Sequence, residues 1–210
     1  GLGDVYKRQA SFECMPEYKR RSFLSEEELQ RIIRIELRYK RQRAMRDMFL
    51  FMCFTGLSYA DLKAITYDNI HTDSDGGTWL MGNRIKTGVA YVVKLLPIAI
   101  ELIEKYRGAD EKKDSPECVF PVGEYNAMRL SLGIIGRKCN CRAEVTPHIG
   151  RHTFAVLAIL KGMPLETLQK VLGHKSILST QVYAELINPK VGEDTDKISE
   201  KIGHVYKLAM

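Results

Sequence analysis

The hydrophobic period changes twice along this chain, and that change limits the fold more than any single motif. Before and after Asn69 to Leu96, apolar residues recur at the spacing of helices. Inside it, Ile70, Trp79-Leu80-Met81, Ile85, Tyr91-Val92-Val93 and Leu95 alternate at strand spacing. Asp73 to Gly77 and Thr87-Gly88 supply the turns between them. The expected fold class is therefore mainly α with a small three-stranded antiparallel β-sheet.

The helices are punctuated clearly. Ser25 with Glu28 forms the signature of a capping box, and Leu29, Ile32, Ile33 and Leu37 follow at helical spacing. Ala44 to Thr55 is apolar nearly all round and reads as a core helix, ended by Gly56. Tyr59-Ala60-Asp61-Leu62 starts a short third helix. Pro97 opens another, Ile98 to Tyr106, and Tyr125 to Gly136 follows after the polar loop Gly108 to Ser115. Between Arg31 and Arg46 stand seven basic residues and one acid, which reads either as a solvated face or as a phosphate-contacting flank.

The stretch from Thr146 to Tyr183 holds the chemistry. Thr146 is a hydroxyl N-cap and Pro147 the first helical residue. His148 and Arg151 sit three apart, on one face of the first turn, pointing back to a helix N-terminus that favours an anion. Phe154, Leu157, Ala158 and Leu160 continue as an apolar stripe until Lys161-Gly162. Pro164 opens a second helix through Leu172, Gly173-His174 turns the chain, and a third short helix carries Thr180 and Tyr183. Arginine clamps phosphate oxygens, histidine moves protons near neutral pH, and a phenol is a nucleophile. The set suits phosphoryl transfer without a metal.

Composition narrows the setting. With 210 residues, the chain supports one domain with a sizeable core, and 45% hydrophobic with 28% charged residues is a soluble globular balance. A net charge of +6 permits a nucleic-acid partner. No apolar run reaches the ~18 residues of a membrane span, and no secretory signal is visible. The cysteines, Cys14, Cys53, Cys118, Cys139 and Cys141, are odd in number and scattered, which argues for reduced thiols in a cytosol. Cys139 and Cys141 with His148 and His152 do not match common zinc spacings, so no metal is expected. A phosphate-cradling glycine loop and paired acids at metal spacing are also missing, so no cofactor is expected.

His148-x-x-Arg151, Leu172-Gly173-His174 and Tyr183, nine residues beyond His174, together resemble the tyrosine recombinase (phage integrase) family. Thr55-Gly56-Leu57 with Asp61-Leu62 resembles the family's first box, and Lys86 in I-K-T-G its hairpin lysine. The local text TGLSYADL and TPHIGRHTFA most resembles integrases of mobile elements of gut Bacteroides-type bacteria. The resemblance covers Phe23 to about Pro189 and implies the tyrosine recombinase catalytic-domain fold for residues 23–189. It implies a site-specific DNA recombinase that integrates or excises a mobile element through a 3′-phosphotyrosyl intermediate, working in the bacterial cytoplasm at the nucleoid. Its implied partners are double-stranded DNA, further copies of itself as a homo-oligomer (a tetramer on DNA, a monomer alone) and accessory DNA-bending proteins, with no membrane.

Carried over, Tyr183 attacks a DNA phosphodiester and His148 accepts or relays its proton. Arg151 holds the non-bridging oxygens, His174 adds a hydrogen bond to the phosphate, and Lys86 protonates the departing 5′-oxygen. One position departs from the pattern: Ser58 stands where the family has an arginine. Arg84 is the candidate substitute, since strand alternation places it on the face of Lys86; Lys63 and Arg46 come after it. Ser58 also keeps open a catalytically weakened DNA-binding relative. A type IB topoisomerase-like strand transferase is the other alternative, and relaxation of supercoils without strand exchange would mark it.

The ends read differently. Residues 1–9, GLGDVYKRQ, look like a translated cloning adapter, and residues 10–22 like a linker from an N-terminal DNA-binding domain. Residues 190–210 carry Ile198, Ile202, Val205 and Leu208 as one apolar stripe, the pattern of a C-terminal helix exchanged between protomers.

Overall fold

The computed structural model of the protein describes residues 22–108 and 117–185. The expected adapter, nearly all of the linker, most of the Gly108 to Ser115 loop and the C-terminal helix lie outside them.

Eight α-helices and one small sheet make up the described residues, with a 3-10 turn at Tyr67–Asn69: α1 (Glu26–Arg34), α2 (Lys40–Thr55), α3 (Tyr59–Ala64), β1 (Ile70–Thr72), β2 (Thr78–Asn83), β3 (Ala90–Lys94), α4 (Pro97–Tyr106), α5 (Tyr125–Lys138), α6 (Pro147–Leu160), α7 (Leu165–Leu172) and α8 (Leu178–Glu185). The sheet is antiparallel in the order β1-β2-β3. Its class is the one read from the change of period.

Local chemistry explains most boundaries. At α1 the capping box forms, Ser25 Oγ accepting from the Glu28 amide at 3.2 Å and Glu28 Oε2 from the Ser25 amide at 2.8 Å. The helix ends at Arg34, short of Leu37, which is nevertheless buried. Arginines later in the chain hold this early exit: Arg46 donates to the Ile35 carbonyl at 3.0 Å, and Arg43 to those of Leu37 and Arg38 at 2.9 Å each. Arg31 likewise donates to the Cys139 and Asn140 carbonyls at the end of α5. Much of the basic run thus ties backbone together, a use neither of its two sequence readings anticipated. Thr146 is the N-cap residue of α6 as expected, but its hydroxyl makes no capping hydrogen bond. Pro147 and its preset φ begin the helix instead.

The core forms around α2, whose Met48, Phe49, Phe51 and Met52 are fully buried and which packs on α4, α5 and α6. A second cluster, Ala155, Val156, Ile159, Leu168, Leu172 and Tyr183, joins α6, α7 and α8. Gly56 closes α2 in the left-handed region at φ 72°, where a Cβ would lie 2.6 Å from the Phe154 ring. Only glycine lets α6 come this close to the end of α2, and the Gly56 carbonyl is thereby placed to receive a side chain from α6.

One sheet face, Leu80, Tyr91, Val93 and Leu95, is buried. Strand β2 ends at Asn83, so Arg84 falls just beyond it and Lys86 in the turn. The alternation argument that put Arg84 and Lys86 on one strand face therefore does not hold.

Candidate active site

Three chain segments that end near one another build the site: the C-terminal end of α2, the first turns of α6, and the turn from α7 into α8. Arg151 of α6 is buried. Its Nη1 donates to the Gly56 carbonyl at 2.7 Å and its Nη2 to the Leu172 carbonyl at 2.9 Å. Those carbonyls close α2 and α7, so two helix C-termini, each carrying partial negative charge, receive the guanidinium. Neither is a full anion. Burial, and next the neighbouring charge of Arg84, pull the Arg151 pKa down to about 10. The side chain stays a cation at neutral pH, but one under electrostatic pressure that an incoming phosphate would relieve.

His174 follows Gly173, the left-handed residue at φ 59° that ends α7. Its backbone is held on both sides by Gln169, whose carbonyl accepts the His174 amide at 3.1 Å and whose side chain donates to the His174 carbonyl at 3.1 Å. The ring bridges two partners, Arg151 Nη2 at 2.8 Å from Nε2 and Thr180 Oγ1 at 2.8 Å from Nδ1.

Tyr183, on α8, is only 1% exposed and reaches into this cluster. Its hydroxyl lies 3.0 Å from His152 Nδ1, and it also hydrogen-bonds Arg151. The guanidinium can only donate, so the phenol's hydrogen has His152 Nδ1 as its acceptor wherever that nitrogen carries the lone pair. Its ring lies parallel to that of His174, centroids 6.4 Å apart. His148 and Arg151 part company despite their spacing: Arg151 is buried and His148 exposed. His148 packs edge-on against His152 with centroids 4.2 Å apart. The histidine directly at the phenol is thus His152, which the sequence reading considered only as a metal ligand.

Arg84 enters from the β2–β3 hairpin. Its Nη1 lies 2.8 Å from Asp61 Oδ2 without hydrogen-bond alignment, in an ion pair whose side chains are 10% and 2% exposed. Burial lowers its pKa most, and Asp61 opposes that shift, followed by Tyr91 and Tyr183. Space for its stem comes from Gly173, where a Cβ would lie 2.7 Å from Arg84 Cγ. Asp61 is the hub of this side. It accepts the Ser58 hydroxyl, the Ser58 amide at 3.2 Å and, through Oδ1, the Ile85 amide at 2.9 Å. Ser58 therefore caps α3 while Asp61 holds both Arg84 and the hairpin. Arg46, a lesser candidate for the missing guanidinium, is engaged with Asp47 at 2.9 Å. Lys86 is exposed in the hairpin turn, next to the Ile85 amide that Asp61 holds, and outside the buried cluster.

Three of the cysteines are held as thiols. Burial pushes Cys141 up to about 11 and raises Cys53 and Cys139 as well. No helix among the described residues is long and apolar enough to cross a membrane.

Comparison with known proteins gives the family and the fold. The sequence pattern of the phage integrase family matches residues 22–188. Tyrosine recombinase XerA of Saccharolobus solfataricus is 30% identical over 133 residues, 63% of this chain and 43% of that protein. A resolvase of Escherichia coli is 50% identical over 100 residues, 45% of this chain and 36% of that protein. The fold resembles that of the XerH site-specific recombinase bound to its palindromic difH substrate after cleavage, with TM-score 0.67 and 22% identity over 84% of this chain and 53% of that one. The chain spans about half the length of the curated relatives it matches. None of these three singles out Bacteroides-type mobile elements.

Proposed function

The chain belongs to the phage integrase family, and from that premise we propose that it cleaves and rejoins DNA strands as a tyrosine recombinase, integrating or excising a mobile element. The observation that carries this reading is the Tyr183 hydroxyl, 3.0 Å from His152 Nδ1 and hydrogen-bonded to Arg151. A phenol is mostly protonated at neutral pH and needs a base, and this one has a base and a phosphate ligand at the same oxygen.

In the proposed step the Tyr183 oxygen bonds to phosphorus as its proton passes to His152, with His148 as the relay toward solvent. The bond from phosphorus to the 5′-oxygen breaks, and Lys86 supplies the proton that leaves a free 5′-hydroxyl. Arg151 and Arg84 hold the non-bridging oxygens as charge builds on them, and His174 adds a hydrogen bond once the phosphate draws Arg151 off its Nε2 and that nitrogen takes up a proton from solvent. The phosphotyrosyl ester retains the energy of the broken bond, so a second 5′-hydroxyl reverses the step without ATP.

Incubation of the protein with a duplex nicked beside its target site tests the reading, because loss of the short 5′-strand traps the ester. A covalent adduct that resists denaturant is expected; a protein that binds the duplex but never forms one is a silent relative.

Assembly on DNA is part of the same proposal. An apolar groove of about 960 Å³, lined by Leu29, Phe54, Val92, Leu157 and Val171 among others, supports it as a seat for a singly striped helix such as that read in residues 190–210. Sedimentation should show a monomer alone and a tetramer on full-site DNA, with the tetramer lost in Ile198→Asp/Ile202→Asp. A folded double variant that still assembles would exclude the tail as the connector.

A further inference from the structure

Thr180 takes no part in the chemistry above, yet its hydroxyl is a side-chain partner of the His174 ring. It is fully buried and stands on α8 three residues before Tyr183. Its Oγ1 lies 2.8 Å from His174 Nδ1, and across the ring Nε2 lies 2.8 Å from Arg151 Nη2. A guanidinium nitrogen donates and cannot accept. Nε2 must then be the lone-pair nitrogen, so the one ring hydrogen sits on Nδ1 and is donated to Thr180. The other tautomer would turn an N–H against an N–H across 2.8 Å, and a doubly protonated ring would add a second cation to that clash. Which ring nitrogen carries hydrogen is decided by what the other one meets.

We propose that Thr180 is a positioning residue that holds His174 in its Nδ1–H tautomer, so that the Nε2 lone pair keeps the Arg151 guanidinium aimed into the site until DNA arrives. The proposal rests on the reading that Arg151 and His174 receive the phosphate. It also ties that receiving pair to the nucleophile. Thr180 and Tyr183 belong to one helix, so the hold that His174 adds to the two carbonyls on Arg151 is complete while α8 is docked with its tyrosine in the site. Withdrawal of α8 removes Thr180 as acceptor for Nδ1–H, loosens the ring's hold on one tautomer, and weakens the contact that Arg151 Nη2 makes beside its bond to the Leu172 carbonyl.

The tautomer is read directly from the ¹⁵N shifts of His174 in the DNA-free protein, and the reaction from the rate of adduct formation on the nicked duplex. Wild type should show a protonated Nδ1 and a lone pair on Nε2. Thr180→Val should lose that single tautomer and form adducts about 10–100-fold more slowly, the scale on which losing a histidine's outer hydrogen-bond partner acts at metal sites. Thr180→Ser should restore both. A wild-type ring protonated on Nε2 overturns the proposal whether or not any variant folds. So does Thr180→Val with an unchanged rate, or a slow Thr180→Val that serine fails to rescue. A wild type with the expected tautomer that forms no adduct would instead indict the recombinase reading.

Discussion

Tyr183→Phe is expected to form no covalent adduct on the nicked duplex at any incubation time, while still binding the same duplex. The substitution removes one oxygen, the atom proposed to bond to phosphorus, and leaves a ring that packs with Ala155, Val156, Ile159, Leu168 and Leu172. The fold should not escape unmarked. The lost hydroxyl is a partner of His152 Nδ1 at 3.0 Å and of Arg151, both of them buried. Losing a buried hydrogen-bond partner costs ~1–3 kcal/mol, which urea denaturation would register as a lower midpoint with an unchanged slope. Adducts formed by a folded Tyr183→Phe would mean that another residue is the nucleophile.

The parts of this molecule legible in sequence are those set by local chemistry. Pro147, the Ser25–Glu28 box and Gly56 announce helix ends through their own backbone preferences, and the change of period around β1 to β3 announces the sheet. Arg151, His174 and Tyr183 also come together as their order suggested. Contacts made across the fold were hidden. Spacing put His148 beside Arg151, but burial depends on what α6 packs against, and the base nearest the phenol is His152, thirty-one positions before Tyr183. The signal was present in H-x-x-R-H, where His148 and His152 sit four apart on one helical face. Asp61 was legible as the acid of a Ser58-x-x-Asp61 cap. Its second task, holding the hairpin by the Ile85 amide, spans 24 positions and leaves no local trace. Arg84 was named for a strand face it does not occupy; the Asp61 carboxylate and the open backbone at Gly173 bring it in.

Arg84→Ala should slow adduct formation by ~10²–10³, the loss typical of removing one donor from a preorganised anion site. In this chain the position usually filled by arginine holds Ser58, whose hydroxyl and amide are bound to Asp61. The hairpin arginine meets the same carboxylate, and in the proposed reading it supplies the second guanidinium from a different part of the chain. Removing it also leaves Asp61 buried beside Ser58 and Ile85 alone, and breaking a buried ion pair costs ~3–5 kcal/mol. Stability and activity must therefore be measured together. Arg84→Lys keeps the cation near Asp61 but loses the planar fork, so it should recover stability more than rate. Ser58→Arg alone should be neutral or harmful, because it forfeits the α3 cap, worth ~1 kcal/mol, and crowds a second guanidinium against Arg84 over one carboxylate. In the double variant Ser58→Arg/Arg84→Ala the new side chain has Asp61 to itself, and part of the lost rate should return. A strong gain from Ser58→Arg together with no loss from a folded Arg84→Ala would show that Arg84 never replaced the missing arginine.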